Sequence, residues 1–342
     1  MKLSRSLHPA YHLRPNKAVD RLLFLEMLRT LVRSPLGLPQ TYIGLGGPFL
    51  EDFRLLAREF PSLDLVSVER DNETIKRQEF HLCSKRLLCL YGTLGEYIAN
   101  IFPTDQAVAV WADFTTMDRE CLSEFSDIIR KSVPGSLVRV TVRAESPVAN
   151  RYNLRFKYPD RIPKKRKDDF KGLQKEHLVD MAIDGVAFRK EWFGWIDFSP
   201  NRYPQTLANM IETTAQASCT GTKAFVPVHA VMYSDGTIML SKTGVICEGK
   251  QRSSIARHFV EHCGFCSEDP TVVEKIDVPI LTTKERLYLE SVLPVENPTG
   301  DASLRKLGYS VEGEGGEALS LQKMKQYEKY YSLYPHFGRI VP

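Results

Sequence analysis

The sequence predicts an α/β fold in which helices cover both faces of a doubly wound, mostly parallel sheet of seven strands. Two observations lead to this prediction. Short apolar stretches alternate with helical stretches between residues 41 and 142, and a later pair of alternating stretches is joined by an Asp-Gly turn. Short apolar strands between helices are typical of a parallel sheet buried on both faces. An Asp-Gly pair between two alternating stretches favours an antiparallel hairpin.

The elements follow one another regularly over the first part of the chain. A helix is predicted over residues 16–34 from apolar residues that recur every three or four positions, and Pro35 and Gly37 end it. The predicted order then runs strand 42–44, helix 51–59, strand 63–68, helix 73–85, strand 87–91, helix 94–101, strand 107–111, helix 118–132 and strand 137–142. Because parallel strands are connected by right-handed crossovers, these elements form a doubly wound sheet.

The second half of the chain is less regular. Residues 147–205 are polar, aromatic and basic and are predicted to be an inserted segment. A helix over 206–217 follows, and then the hairpin, whose turn contains Asp235 and Gly236. From about residue 251 the chain is helical and charged. The sequence therefore predicts a sheet-containing domain over 1–250 and a helical module over 251–342.

Composition excludes several classes of protein. Of the 342 residues, 43% are hydrophobic and 26% are charged, which is ordinary for a globular protein. No apolar run approaches the roughly 20 residues that span a bilayer, and the N-terminus lacks the apolar centre of a signal peptide. The seven cysteines are scattered, which favours reduced thiols. We therefore expect a cytoplasmic protein with no membrane partner. A net charge of +4 does not by itself indicate a nucleic-acid partner.

Glycines stand directly after the first strand. The stretch TYIGLGGPFLEDF, residues 41–53, contains Gly44, Gly46 and Gly47 between an apolar strand and the start of a helix. Glycine allows backbone to approach a ligand closely, and the N-terminus of the following helix offers N–H groups. These residues are the first candidates for a ligand site.

Polar side chains follow the next three strands. Glu69 ends the second strand, 25 positions after Gly44, near the offset at which an acid binds the hydroxyls of a ribose. Thr93 follows the third strand, and Asp113 follows the fourth. Because ligands of such sheets bind outside the C-terminal ends of the strands, the three side chains together predict a nucleoside-binding crevice.

These stretches, YIGLGGPFLEDF with SVERD and WADF, resemble the class I S-adenosylmethionine-dependent methyltransferase superfamily. Within it they look like the branch labelled "putative O-methyltransferase". The resemblance covers roughly residues 16–247 and also includes the terminal antiparallel strand pair. It implies S-adenosylmethionine as the cofactor. The predicted hairpin disfavours a nicotinamide-dependent oxidoreductase, whose sheet would continue in parallel.

The resemblance also implies a role for each candidate residue. Glu69 would hold the ribose hydroxyls, Thr93 would meet the adenine, and Asp113 would lie near the transferred methyl group. The glycine loop would meet the methionine part of the cofactor through Gly44, Gly46 and Gly47.

Two positions of the glycine loop depart from the superfamily's pattern. Tyr42 stands where an acid usually helps to hold the amino group of the cofactor, and Pro48 stands at the third glycine. Asp52, or Glu51 one residue earlier, is the predicted substitute for the acid, provided that the start of the next helix presents it inward. Pro48 is predicted to lie in the first turn of that helix, where proline is tolerated because its missing N–H has no helical partner.

The resemblance implies methyl transfer to an oxygen or nitrogen acceptor, which is either a small molecule or a nucleic acid. Asp113 is the predicted catalytic residue, as a general base or as a group that orients the acceptor. The residues after it, Phe114 to Thr116, lack the motifs of DNA methyltransferases. The alternative is a non-catalytic nucleotide-sensing or partner-binding subunit with the same fold. The helical module over 251–342 is then a candidate surface for a protein partner.

Three further patterns are weighed as possible sites. The basic and aromatic run over residues 151–167 is either a nucleic-acid surface or a solvated face. Glu145 is a candidate oxygen ligand for a metal-assisted reaction. His258, His262, Cys263 and Cys266 have zinc-like spacing, but the neighbouring phenylalanines favour ordinary packing. We therefore expect no metal site.

Overall fold

The computed structural model describes residues 14–146, 197, 199–234, 236–267 and 269–335. Its strands are β1 (Thr41–Gly44), β2 (Asp64–Glu69), β3 (Leu87–Tyr91), β4 (Val108–Asp113), β5 (Leu137–Arg143), β6 (Lys223–Ser234), β7 (Ile238–Glu248) and β8 (Glu274–Ile276). Its α-helices are α1 (Pro15–Arg33), α2 (Glu51–Glu59), α3 (Asn72–Phe80), α4 (Leu94–Asn100), α5 (Arg119–Lys131), α6 (Tyr203–Ser218), α7 (Arg252–His262), α8 (Thr283–Leu289), α9 (Asp301–Leu307) and α10 (Glu317–Tyr330).

The strands form one sheet in the order β3-β2-β1-β4-β5-β7-β6-β8. The first five strands pair in parallel, and β7 pairs antiparallel with β5. This arrangement confirms the predicted α/β class, with a mostly parallel sheet and antiparallel strands near its end. The sheet has eight strands rather than seven. The additional strand, β8, has three residues, too few to show the two-residue period by which a strand is recognised.

Burial explains why the central strands were recognisable. All residues of β4 except Asp113 are buried, and all residues of β5 except Arg143 are buried. A strand covered on both faces needs apolar side chains in both directions, which gives a continuous apolar run. On one face, α4, α5 and α6 pack against these strands through a cluster that includes Val110, Val140, Phe125, Ile128 and Leu207.

The chain folds as two compact units. The larger comprises Leu25–Met232 and Thr237–Glu274, and it contains β1 to β5 and α2 to α7. Of the described residues, the smaller comprises 14–24, 233–234, 236 and 275–335. The proposed domain boundary near residue 250 stays a prediction. Of the predicted insertion, residues 147–196 and 198 lie outside the described residues, as does Asp235 of the hairpin turn, while Tyr203 to Gln205 already belong to α6.

The smaller unit is held together by buried polar groups. The Glu328 carboxylate on α10 accepts hydrogen bonds from the backbone N–H groups of Thr299, Gly300 and Ser303. It thereby satisfies donors at the start of α9, which a neutral side chain would do less strongly. The Tyr334 hydroxyl donates to the Pro279 carbonyl and accepts from the Leu281 N–H. In the part of the chain that the structure describes, no helix is long and apolar enough to cross a membrane.

Candidate active-site cleft

A cleft opens in the larger unit where the strand order reverses. From β1 the chain passes to β2 and β3 on one side and then to β4 and β5 on the other. The cleft has a volume of about 310 Å³, within the range of small-molecule sites. It is lined by Leu45, Val68, Glu69, Arg70, Gly92, Thr93, Leu94, Asp113, Phe114, Thr115, Thr116, Asp118, Glu120, Cys121 and Glu124.

Glu69 lies at the rim of the cleft as the last residue of β2. One of its carboxylate oxygens, Oε1, accepts a hydrogen bond from the Asp71 N–H at 2.9 Å. Asp71 in turn caps α3 by accepting from the Thr74 N–H at 2.8 Å. The turn after β2 therefore fixes the Glu69 carboxylate through its own backbone.

Thr93 reaches the cleft from the start of α4. Its hydroxyl accepts from the Glu96 N–H, and the Glu96 carboxylate accepts from the Thr93 N–H, so the two residues form a capping box. The preceding Gly92 has a φ of +150°, which an L-residue rarely adopts. Thr93 thus positions the loop between β3 and α4, in addition to lining the cleft.

Asp113 ends β4 and lines the same cleft. It is in register with Thr141 of β5, and the Phe114 N–H donates to the Thr141 carbonyl at 2.8 Å. The chain then turns into α5 at Asp118, which accepts from the Cys121 N–H and from the Thr116 hydroxyl. Pairing with β5 and this cap hold both ends of the segment that carries Asp113.

Two of the three glycines at the end of β1, Gly44 and Gly46, face the protein itself. A Cβ atom added to Gly44 would lie 2.6 Å from the Tyr42 hydroxyl oxygen. A Cβ atom added to Gly46 would lie 2.5 Å from Ser67 Oγ and 2.8 Å from Phe53 Cε2. Gly44 and Gly46 are therefore required for packing of the chain around them, whatever the backbone of the loop binds.

A hydrogen-bonded relay holds this loop against β2 and α3. The Gly46 N–H donates to Ser67 Oγ at 3.2 Å, and the Ser67 hydroxyl donates to Gln78 Oε1 at 3.0 Å. The Gln78 amide then donates to the Gly47 carbonyl at 3.0 Å. Ser67 and Gln78 are completely buried, so the relay fixes the backbone beside the cleft.

The end of the loop differs from the prediction. Pro48 lies in a turn before α2, because the helix begins only at Glu51. Between them the buried Leu50 has a φ of +53°, a left-handed conformation that costs a non-glycine residue about 1–3 kcal/mol. Tyr42, at the position where the superfamily has an acid, is 1% exposed and packs its ring edge against Phe53 at 5.1 Å between centroids.

The structure brings three of the seven sequence-predicted residues into the cleft. These are Glu69, Thr93 and Asp113, and the glycine loop contributes Leu45. The residues that line the cleft do not include the other four, which are Gly44, Gly46, Gly47 and Asp52. Their assignment to cofactor binding stays a prediction.

The other candidate sites are not part of this cleft. Glu145 forms an ion pair with Arg143. The rings of His258 and His262 contact each other at 4.5 Å, and His258 Nε2 lies 3.0 Å from the Thr30 carbonyl oxygen. In the described part of the chain, no group of three or more His, Cys, Asp or Glu side chains is arranged to hold a metal ion. The basic run over residues 151–167 lies outside the described residues.

Comparison with known proteins decides the family. Residues 9–342 match the model of a family described as "Putative O-methyltransferase". The chain belongs to this family. Membership implies S-adenosylmethionine as the cofactor. No curated protein matches the sequence.

Solved methyltransferase structures are similar to this chain at low identity. Trm1 from Pyrococcus horikoshii with S-adenosyl-L-methionine matches at 11% identity and a TM-score of 0.41, over 72% of this chain and 58% of its own. The N-methyltransferase NodS from Bradyrhizobium japonicum WM9 matches at 11% identity and 0.38, over 67% of this chain and 97% of its own. An O-methyltransferase family protein from Burkholderia thailandensis matches at 16% identity and a TM-score of 0.34, over 72% of this chain and 63% of its own. We base the family assignment on the family match alone, because these TM-scores are below 0.5.

The cleft contains acids that sequence reasoning missed. Asp118, Glu120 and Glu124 line it from the loop before α5 and from the helix itself, and Arg70 is the one basic residue among the lining residues. With Glu69 and Asp113, the acids make the cleft anionic. An anionic cleft favours a ligand that carries positive charge, as a sulfonium cofactor does.

Glu124 has the most perturbed environment of these acids. Burial, together with the nearby Glu120, Asp118 and Asp127 carboxylates, raises the pKa of Glu124 to about 7, against the effect of a hydrogen bond from the Gly95 N–H. The sequence of α5 did not indicate that Glu124 lines the cleft, because Glu124 reaches the cleft only when α4 and α5 pack together.

Proposed function

We propose that the cleft binds S-adenosylmethionine and that the protein transfers the methyl group to an oxygen or nitrogen atom of an acceptor. One observation carries the proposal: a single cleft at the reversal of strand order gathers Glu69, Thr93 and Asp113 from the ends of three successive strands. The residues of the cleft fit the chemistry of the cofactor in three respects.

The first respect is the ribose. Its hydroxyls are hydrogen-bond donors, and a carboxylate accepts such bonds strongly. The Asp71 N–H already holds Glu69 Oε1 at the rim of the cleft, so little side-chain freedom is lost when a ligand binds. Glu69 is therefore the residue that we assign to the ribose.

The second respect is the adenine. Between Glu69 and α5 the cleft has apolar walls from Val68, Leu94 and Phe114. A flat aromatic base is stabilised by such apolar walls, while neighbouring polar groups fix its orientation. Thr93 and Glu124 supply polar groups on this side, and Thr93 is the residue assigned to the adenine.

The third respect is charge. The cofactor supplies an electrophilic methyl group on a positively charged sulfur, and the acids of the cleft attract that charge. Asp113 is the acid at the end of β4, where an acceptor would meet the cofactor. Its carboxylate orients the acceptor hydroxyl or amine through a hydrogen bond, and it takes the acceptor's proton when the nucleophile requires deprotonation.

Calorimetric titration with S-adenosylmethionine and with S-adenosylhomocysteine tests the cofactor site. We expect both to bind the wild type, and Glu69→Gln to weaken binding about 10- to 30-fold, because a hydrogen bond to a charged group contributes about 1.5–2 kcal/mol. Glu73→Gln, on the exposed side of α3, is the matched control and should bind like the wild type. Folded protein that binds neither compound would contradict the proposal.

Asp113→Asn separates binding from chemistry. The substitution keeps the shape of the side chain and removes its ability to accept a proton, so cofactor affinity should change less than about threefold while turnover falls at least about 100-fold. The measurement is methyl transfer to a panel of hydroxyl and amine acceptors, with the bound cofactor checked by calorimetry. Binding without turnover on any acceptor, unchanged by Asp113→Asn, would instead support a non-catalytic subunit.

A further inference from the structure

A pair of cysteines outside the cleft forms a compact motif of its own. Cys263 directly follows the last residue of α7, and Cys266 lies three residues further along in the sequence Cys-Gly-Phe-Cys. The Cys266 N–H donates to the Cys263 carbonyl at 3.1 Å, so the four residues form a tight turn. The Cα atoms at the ends of such a turn are less than about 7 Å apart, which is the range that a disulfide requires.

The side chains of the pair contact each other. The Cys263 sulfur accepts a hydrogen bond from the Cys266 thiol. Cys263 is 3% exposed, whereas Cys266 is half-buried. Cys266 is therefore the more accessible residue of the pair, and Cys263 is buried in contact with it.

All seven cysteines of the chain are thiols in this structure. The pair does not belong to a metal centre in the described part of the chain, where no group of three or more ligand-type side chains is arranged around an ion. The methyl-transfer proposal gives the pair no role. Two thiols in contact, one of them accessible, are the arrangement found in reversible dithiols.

We propose that Cys263 and Cys266 close reversibly into an intrachain disulfide, with a low-molecular-weight disulfide such as oxidised glutathione as the oxidant. The reaction has two exchange steps. First the Cys266 sulfur, as its thiolate, attacks the oxidant, forms a mixed disulfide and releases one glutathione thiolate. The Cys263 thiolate then attacks the Cys266 sulfur and displaces the second glutathione thiolate.

Protons, bonds and electrons balance over the two exchange steps. Both protein thiols lose their protons, one S–S bond forms in the protein, and the S–S bond of the oxidant breaks. The oxidant is reduced to two glutathione molecules, which take up the two protons. Excess reduced glutathione reverses the same steps.

The environment of the reduced pair favours the first step. The hydrogen bond between the two sulfurs outweighs burial and lowers the pKa of Cys263 to about 7, so the pair holds a thiolate near neutral pH. Transfer of the shared proton from Cys266 to Cys263 places that charge on Cys266 for the attack, and Cys263 gives up this proton before the second step. The other cysteines differ in this respect. Burial raises the pKa of Cys89 and of Cys247 to about 11, and it also raises that of Cys121. Oxidation should therefore be selective for the pair.

The test is a titration of the folded, full-length protein with oxidised and reduced glutathione, followed by alkylation and peptide mapping by mass spectrometry. We expect the peptides of Cys263 and Cys266 to lose alkylation together and to be joined by a disulfide, while the other five cysteines stay alkylated. Return to excess reduced glutathione should restore both thiols.

Single substitutions give a signature that a purely structural role would not produce. In Cys263→Ser, Cys266 should stop at the mixed disulfide with glutathione, which should not accumulate in the wild type. In Cys266→Ser, the remaining Cys263 should react at least about tenfold more slowly than the wild-type pair, because it is buried. Circular dichroism at each point confirms that the protein is folded.

Three results would overturn the proposal. The first is that Cys263 and Cys266 both stay alkylated in the folded wild type at the end of the titration. The second is that oxidation joins one of them to a different cysteine. The third is that Cys266→Ser loses its Cys263 thiol as fast as the wild type does.

Discussion

The turns after β1 and after β2 lie at the same edge of the sheet and use their residues in opposite ways. After β1, the positions where Gly44 and Gly46 would carry a side chain are filled by Tyr42, Ser67 and Phe53. After β2, the carboxylate of Glu69 is held by backbone and lines the cleft. Gly44 and Gly46 are thus explained by the protein's own packing, whereas Glu69 presents its carboxylate to the cleft.

This difference changes which residues carry the functional argument. A glycine-rich loop is usually interpreted as space for a ligand. Here the loop is tightly packed from within, and its backbone is fixed by the relay through Ser67 and Gln78. The evidence for a ligand comes instead from Glu69, Thr93 and Asp113, which line one cleft although they are far apart in sequence.

The largest expected effect of breaking this packing is that of Gly46→Ala. The new methyl group would meet Ser67 Oγ, Leu50 Cδ2 and Phe53 Cε2 at 2.5–2.8 Å, and all three side chains are completely buried. We expect the free energy of unfolding to fall by about 2–3 kcal/mol, the range of overpacked cores, as measured by urea denaturation.

Gly47→Ala is the matched control for this substitution. No atom lies within 4 Å of the position of its Cβ, so only its φ of +52° opposes the change. That conformation costs an alanine about 1 kcal/mol. Equal losses for the two variants would mean that backbone conformation, rather than packing, explains the glycines of the loop.

A double-mutant cycle between Tyr42 and Gly44 tests whether the tyrosine ring is the reason for glycine at position 44. Gly44→Ala should cost about 2 kcal/mol in the wild type, because its methyl group would lie 2.6 Å from the Tyr42 hydroxyl oxygen. In the Tyr42→Val background the same change should cost less than about 0.5 kcal/mol, a coupling of about 1.5 kcal/mol. The measurement is again urea denaturation of the four proteins.

The control for the cycle is Gly44→Ala in a Phe125→Leu background. Phe125 is a buried ring in the core cluster that includes Ile43 but not Tyr42. The two changes should therefore be additive. Additivity in the Tyr42→Val background as well would show that Gly44 is not required by the tyrosine, and the interpretation of the loop as a ligand site would regain support.

The sequence was informative wherever a local pattern determines the structure. Helix α2 has the predicted ends Glu51 and Glu59, because its apolar residues face the core at helical spacing. The acids Glu69 and Asp113 were found because a strand end is a local feature with a known direction in a parallel sheet. Fold and cleft both follow from such patterns.

The sequence was uninformative wherever the structure depends on how side chains pack in the folded protein. The left-handed Leu50 could not be anticipated, since a buried leucine is an unusual residue for that conformation. The contact between Tyr42 and Gly44 depends on which way a buried ring turns. Glu124 enters the cleft only through the packing of α4 against α5, and the sequence shows it as one acid among several on a helix.

The smallest expected change in the free energy of unfolding concerns Glu124, whose environment distinguishes it from the other acids of the cleft. Its pKa is raised to about 7 from an ordinary value of 4.5, so the folded state holds the proton that the unfolded state has already lost between these values. The carboxyl group therefore contributes fully to stability below about pH 4.5, and its contribution is lost as the pH rises to about 7. Above that pH it is an ionised group in an unfavourable site.

Glu124→Gln removes this charge and keeps an oxygen that can accept from the Gly95 N–H. We expect the variant to be about 1 kcal/mol more stable than the wild type at pH 8, after discounting the shift for solvent screening, and equally stable at pH 4. Glu79→Gln, on the exposed surface of α3, should show no such dependence. If Glu124→Gln increases stability equally at both pH values, the cause is the shape of the side chain at this position rather than its charge.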